Sequence, residues 1–418
     1  MSPAFAEAAR RLERPGKELP TTGLQVANSG APAATASSHT GGELCTAFTT
    51  LAALSRDDHT RWRMLASQRP ASAPLVDAPW VRSWLEAFAP AEPVLLATRD
   101  SGRLVGLAML QRLVESLHGR PVRVLQSLTN EESFRFDFLS PEGRGDILEQ
   151  MWRVLCDTPR WDVIRLQHVP EGSPTLSAAV TVARERGWRA LVRETFLTPW
   201  RPLSPKVPWD EGLTRKFKSN LRRRERRLGE LGAVRCDIAR GGRTLQQALE
   251  SFYELEARGW KGHSGSAVAQ RPRVKRFYDR LVEHAAADGG VWIPTLALSD
   301  TPIAAQVLRV SGRTMFGLKT AYDEAYARYG PGQVLTARVI RYGLDHVMEA
   351  LDLMAGNATY KADWASRFRP HYELLLFAPS LAGRCAYWVR YGVREQVKKL
   401  PGAGRVARWL RTRVAIEP

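Results

Sequence analysis

Cysteine is scarce in this chain. Four occur in 418 residues, at Cys45, Cys156, Cys236 and Cys385. Their spacing supports neither a disulfide framework nor a thiolate metal site, so a reducing cytoplasm is the expected setting. No run comes near the roughly 18 consecutive apolar residues of a membrane-spanning helix. The first residues lack the apolar stretch of a secretory signal, although Arg10-Arg11 superficially resembles a twin-arginine start. The eight histidines form no metal cluster, and nothing resembles a nucleophilic triad. Acid is short relative to base: 43 Asp and Glu stand against 61 Lys and Arg, for a formal charge of +18. Lysine is itself rare, with 10 of those 61. Such a balance favours an anionic partner: a phosphorylated cosubstrate, nucleic acid or an anionic membrane surface. Charge alone does not choose among them.

What is present reads as two α/β domains between two irregular ends. Residues 1–43 are rich in Ala, Ser, Thr, Gly and Pro and read as disordered. An N-terminal domain is expected over 44–205, with a helix at "PWVRSWLEAFA" and strands at "PVLLATRD", "RLVGLAMLQRL", "RPVRVLQSL" and "FRFDFLS". A helix ("DILEQMWRVLCD"), a strand, a second helix and the strand "WRALVRETF" follow, before a Pro-rich stretch near 198–208. A second domain is expected over 206–380. It opens with the basic helix "TRKFKSNLRRRERRLGELG", with Thr214 as N-cap and Phe217, Leu221, Leu228 and Leu231 on one face. A strand, two helices, a three-strand meander, a Gly-Pro-Gly turn, a helix, a strand, a short segment and a final strand complete it. The tail, 381–418, is basic, with Val389, Val393, Val397 and Leu400 at helical spacing. It suits either an anionic membrane surface or docking on the protein's own body.

The stretch "YARYGPGQVLTARVIRYG" places Gly330, Pro331 and Gly332 between a strand pattern and a helix. Glycines there let backbone N–H groups approach a ligand, and the helix N-terminus favours negative charge. The alternative is a tight turn with nothing bound. Order of elements favours the phosphate reading, because the second half follows the succession of the GNAT acyltransferase fold.

Four motifs in order, "KFKSNLRRRERRLGELG", "ELEARGWKGHSGSA", "YARYGPGQVL" and "GNATYKADWA", resemble the BioF2-like or CelD-type branch of the GNAT superfamily. That branch is related to the FemABX transferases, which carry two GNAT-like domains in tandem. The resemblance covers about 75–380 and is strongest over 214–366. It implies two tandem GNAT-like domains, each a mixed, mainly antiparallel sheet flanked by helices. It also implies acyl-CoA as a co-substrate, with no permanently bound cofactor and no metal. Two departures stand out. Ala327 occupies the position where the family's pyrophosphate loop usually begins with Gln or Arg. Asn357 and Thr359 stand where relatives carry acidic residues.

Candidate residues follow from both readings. Arg328, Tyr329, Gly330, Pro331, Gly332 and Gln333 are the donor-phosphate candidates, with Val334 adding a helix N–H. Glu256 lies near the apolar face of its helix, an unusual place for a carboxylate, and reads as a general base or an ion-pair partner. Lys361 and Tyr360 match the late family motif and complete the catalytic candidates. Trp260, Lys261, Gln306, Lys319, Tyr322 and Trp364 are the acceptor-binding candidates, core packing being the alternative for Trp364. His263, Asn130 and Asp137 are weaker candidates by residue type.

The leading expectation is a GNAT N-acyltransferase acting on a sugar or amino-acid-like acceptor. The CelD-type resemblance adds exopolysaccharide or envelope assembly, at the inner face of the membrane if the tail docks there. A Fem-type enzyme using aminoacyl-tRNA, and a non-catalytic module binding membrane or nucleic acid, are the alternatives.

Overall fold

The computed structural model describes residues 44–69, 75–89, 92–117, 120–286, 289–354 and 359–389. The extension 1–43, residues 355–358 of the late motif and the tail beyond Val389 lie outside the described residues. The N-terminal half comprises β1 (Leu44–Thr49), α1 (Arg56–Ser67), α2 (Ala78–Phe88), β2 (Pro93–Asp100), β3 (Arg103–Leu117) and β4 (Arg120–Ser127). It continues with α3 (Gly145–Asp157), β5 (Val163–Pro170), α4 (Pro174–Glu185) and β6 (Arg189–Pro202). The C-terminal half comprises α5 (Arg215–Gly229), β7 (Val234–Ala239), α6 (Gly242–Arg258), α7 (Trp260–His263), α8 (Pro272–Ala285), β8 (Val291–Leu298), β9 (Thr301–Ser311) and β10 (Thr314–Tyr322). It ends with α9 (Pro331–Asp345), β11 (Ala350–Asp352), α10 (Thr359–Trp364), β12 (Arg367–Phe377) and α11 (Leu381–Tyr387).

Local chemistry sets the helix starts. The Ser55 hydroxyl accepts from Asp58 N–H while the Asp58 carboxylate accepts from Ser55 N–H, a reciprocal cap. Asp77 caps α2 ahead of Pro79, and Thr214 caps α5 by accepting from Phe217 N–H. In α3 the buried positions Ile147, Leu148, Met151, Trp152 and Leu155 recur at helical spacing, so one face packs on the sheet. Leu221 and Leu228 bury the same stripe of α5, whereas Leu231 lies past the helix end and is 48% exposed.

Among the described residues the strands form one sheet in the order β1-β2-β3-β4-β5-β12-β6-β11-β10-β9-β8-β7. Each half lends its last strand to the other. β12, the final strand, inserts between β5 and β6, while β6, from the first half, lies between β12 and β11. Residues 198–202 are therefore not linker: they pair with both β11 and β12. The halves also meet through α2 and α8, where Trp80 stands edge-on to Phe277 at 4.8 Å.

Two parallel contacts interrupt an otherwise antiparallel sheet: β4 with β5 over Val124–Gln126, and β10 with β11 over Thr314–Phe316. Beyond each contact the strands part. In the N-terminal half the gap is filled by the chain itself. Leu139 exchanges backbone hydrogen bonds with Leu107 of β3, and Phe136 N–H donates to the carbonyl of His168 in β5. This is the segment "FRFDFLS". It does not form the expected strand, because it is an insert that makes one isolated bridge. In the C-terminal half β10 runs on to Tyr322 through a bulge between Gly317 and Lys319, while β11 ends at Asp352. The result is a wedge beside the C-terminal part of β10.

Candidate active site

The Gly-Pro-Gly turn sits at the mouth of the wedge. A 3₁₀ turn, Glu324–Tyr329, delivers the chain to Gly330, whose φ of +57° and ψ of +52° lie in the left-handed region that glycine adopts without penalty. Pro331 starts α9, where its missing N–H costs nothing. No side chain caps this helix. The N–H groups of Gln333 and Val334 turn back to the Gly330 carbonyl at 2.9 and 3.1 Å, so they are not the free donors expected of them.

The turn is covered by Arg224, a residue that no motif or spacing singles out. A Cβ at Gly330 would lie 2.9–3.0 Å from Cδ, Nε and Cζ of Arg224, so the half-buried guanidinium arm lies across the turn. Arg224 belongs to α5, and the basic helix thus reaches the glycine turn directly. At Gly332 a Cβ would meet only Thr320 and Tyr322 of β10, at 3.8–3.9 Å. Arg328 is exposed and stacks on Tyr329, which is itself buried.

The helix is braced from behind. The Gln306 amide donates to the Thr336 hydroxyl at 2.8 Å, and that hydroxyl donates to the Gly332 carbonyl at 2.9 Å. Gln306 is buried and supports the turn instead of facing an acceptor. Trp364 likewise leaves the acceptor side. It is fully buried, stands edge-on to Phe217 at 5.0 Å, and donates its indole N–H to the Gln333 side chain.

The wedge wall is cationic. Lys261 Nζ donates to Glu256 Oε1 at 2.7 Å and to the Thr320 carbonyl at 3.2 Å. Glu256, near the apolar face as read, is buried, and its other oxygen accepts from Val268 N–H at 2.7 Å. Both of its oxygens are engaged, so it acts as the anchor of Lys261. Lys319 of β10 pairs with Glu132 at 3.0 Å, a contact from the other half. Glu132 is buried and also accepts from Tyr278 OH at 3.1 Å and lies 3.4 Å from Arg271. Lys361 is half-buried on α10, where burial lowers its pKa to about 8; Asp352 opposes the shift, and Lys319 and Lys261 add to it. Tyr360 shares that helix, but its side chain lies outside the described residues. Tyr322 and Trp260 are exposed at the entrance, Trp260 by 57%, and the Trp260 N–H donates to Glu324 Oε1 at 2.6 Å.

The floor is built by the N-terminal insert. Arg135, fully buried, pairs with Asp352 at 2.7 Å and donates to the Thr198 hydroxyl at 3.2 Å. Arg369 approaches the same Asp352 oxygen at 3.3 Å, and Met354 N–H donates to the other at 2.9 Å. Next to it His371 stacks on Phe196 at 4.8 Å, its pKa driven well below the usual value by burial and then by Arg135 and Arg369. Asp137 is elsewhere. It is a buried residue of the insert itself, accepting from Ser173 Oγ at 2.7 Å and from the Thr175 hydroxyl, and burial raises its pKa. Asn130 accepts from Glu132 N–H and so shapes the turn that carries Glu132. His263 is exposed at the rim. Among the described residues no group of His, Cys, Asp and Glu could hold a metal ion.

A splayed sheet with a glycine turn opening a helix beside the splay is found in the C-terminal half, while the N-terminal half has a splay filled by its own insert. Residues 215–362, in the C-terminal half, match the acetyltransferase (GNAT) domain family. The solved structure of FemX is similar to the chain at a TM-score of 0.55 and 11% identity, over 79% of this chain and 98% of FemX. A conserved protein of unknown function from Bacteroides thetaiotaomicron is similar at 0.53 and 10%, over 76% and 97%. At these identities the likeness is one of fold. No curated protein matches the sequence.

Proposed function

We propose that the protein transfers an acyl group from an acyl-CoA, bound at Gly330–Gly332, to an amine or hydroxyl of an acceptor lodged in the C-terminal wedge. One observation carries this reading: the glycine turn, the uncapped α9 and Arg224 converge beside the C-terminal part of β10, whereas the corresponding gap in the other half is filled by Phe136–Leu139. A diphosphate suits this corner, since the positive end of the α9 dipole and the Arg224 guanidinium both lie at the turn, and Gly332 leaves room for close approach.

In the transfer, the acceptor nitrogen or oxygen attacks the thioester carbonyl carbon. The carbonyl oxygen becomes anionic; as the carbonyl re-forms the C–S bond breaks, the sulfur leaves as thiolate, and the proton released by the attacking nitrogen or oxygen ends on that sulfur. Negative charge develops twice, and the wedge meets it with ammonium groups held in place by Glu256 and Glu132. Lys361, protonated below about pH 8, is the group we assign to the developing oxyanion. The N-acyl preference, the acetyl chain and an exopolysaccharide or envelope acceptor rest on resemblance and belong to the proposal.

Calorimetric titration with coenzyme A, acetyl-CoA and longer acyl-CoAs tests it, alongside Gly332→Glu. The glutamate has room but brings a negative charge into the cradle. Wild-type binding that the variant abolishes is expected. A folded wild type that binds no CoA, yet binds aminoacyl-tRNA with a steep salt dependence, overturns the donor assignment.

A further inference from the structure

We infer that α11 docks the protein on an anionic membrane surface, with Leu381, Cys385 and Trp388 entering the headgroup region and Arg189 and Arg384 meeting the lipid charge. None of these residues belongs to the acyl-transfer site.

The helix is turned the opposite way to an ordinary surface helix, which buries its apolar stripe and shows its polar face to water. Gly383 and Ala386 are the buried residues of α11, Ala386 packing with Val122, Val124, Val163, Leu375 and Phe377 on one face of the sheet. Tyr387 stands beside them, edge-on to Phe377 at 5.4 Å. Leu381, Cys385 and Trp388 recur at i, i+4 and i+7 on the other side. All three are exposed, Leu381 by 80% and Trp388 by 52%. Packing fixes this orientation. A Cβ at Gly383 would lie 2.4–3.0 Å from backbone atoms of Ala378, so only glycine lets the helix lie so close to the chain leaving β12. Ser380 Oγ holds the start of the helix by accepting from Gly383 N–H at 3.2 Å. Turning the stripe inward would drive a larger side chain into that contact.

Charge selects the occupant. The Arg189 guanidinium lies 4.1 Å from the Tyr387 ring and 5.9 Å from the Trp388 ring, so it edges the stripe. Arg384 is exposed on the helix itself. Among the described residues neither arginine forms an ion pair, and the β12 carboxylate Glu373 is taken by Arg193. The sequence that follows, residues 390–418, adds eight Lys and Arg against two Glu. Tryptophan with arginine is the pairing of a bilayer interface: the indole sits at headgroup depth, and the guanidinium reaches phosphate along its apolar stem. A second copy of the chain fits poorly, since a two-fold contact through this stripe would bring the same arginines together. Among the described residues no helix is long and apolar enough to cross a membrane, so the contact is with one surface.

Co-sedimentation of the full chain tests this, with vesicles of phosphatidylcholine alone and of an equal mixture with phosphatidylglycerol, at low and high salt. Wild type should bind the anionic vesicles about tenfold more tightly than the neutral ones and release them at high salt. Leu381→Ser and Trp388→Ser, at exposed positions and expected to melt like wild type, should each weaken anionic binding about tenfold. Arg189→Gln and Arg384→Gln should each weaken it about fivefold and flatten its salt dependence. If one serine variant alters the melt, the other decides. Anionic binding undiminished by the serine substitutions places the contact on the basic tail alone and overturns the inference. So does equal binding to neutral vesicles, or no binding at low salt. A concentration-dependent dimer that the serine variants dissolve, read by analytical ultracentrifugation, overturns it in favour of a second copy.

Discussion

Replacing Lys361 by methionine should make the protein more stable while removing its activity. Methionine keeps the length of the side chain and deletes the charge. Burial holds the lysine at about 8 against an ordinary value of 10.5. Below pH 8 the group is ionised in both the folded and unfolded chains, so folding bears the full cost of the buried charge. That cost is on the order of 3 kcal/mol. As pH rises from 8 to 10.5 the folded protein has released its proton and the unfolded chain has not, so wild-type stability recovers. Above 10.5 both forms are neutral and the cost is gone. The gap between Lys361→Met and wild type should therefore be widest near pH 6.5 and small by pH 10.5. Urea denaturation of both proteins at the two pH values, at constant ionic strength, measures it, and the paired comparison cancels groups that titrate alike in both. A gap equal at both pH values, or a variant less stable at pH 6.5, would refute the burial argument. Acyl transfer by wild type should decline above about pH 8, because the assigned role needs the ammonium form.

Three further outcomes are expected. Gly330→Ala should lose about 1–2 kcal/mol, from a left-handed conformation that alanine resists, while Gly332→Ala should melt like wild type; paired thermal melts show the split. Asp352→Asn leaves Arg135 and Arg369 without their shared carboxylate and should cost about 3–5 kcal/mol in denaturant titration. Thr214→Ala removes the α5 cap and should cost about 1 kcal/mol, measured the same way, with a companion loss of CoA affinity if α5 must hold Arg224 over the turn.

Much of this architecture is legible in the sequence because it is local. The α5 cap, the amphipathic stripes of α3 and α6, the β8–β10 meander and the glycine turn all follow from short-range spacing. Lys261, Lys319, Lys361 and Tyr322 are legible by type and motif, and Lys261 meets the strand β10 that carries Lys319 and Tyr322. The residues that escaped notice depend on long-range pairing. Glu132 and Arg135 lie 187 and 217 positions from Lys319 and Asp352, and no periodicity relates them. A faint signal existed, since Asp352 interrupts the apolar "LDLM" and Arg135 sits between two phenylalanines. Gln306 is a candidate from the meander and Trp364 from the late motif, with core packing as the alternative for Trp364; both are buried behind the turn. Strand exchange, being a matter of topology, left no mark in composition or spacing.

That exchange bears on how the enzyme is made. Until Phe377 has been synthesised, β5 has no neighbour on its outer side, and β6 waits for both β11 and β12. Neither half can close its sheet as it leaves the ribosome, and each presents an open edge that invites wrong pairing. The wedge floor, with Arg135 from one half and Asp352 from the other, assembles only when the halves interlock. A chain cut short before β12 leaves β5 and β6 unpaired on the sides that β12 covers, so the two halves are coupled through the last strand to be made.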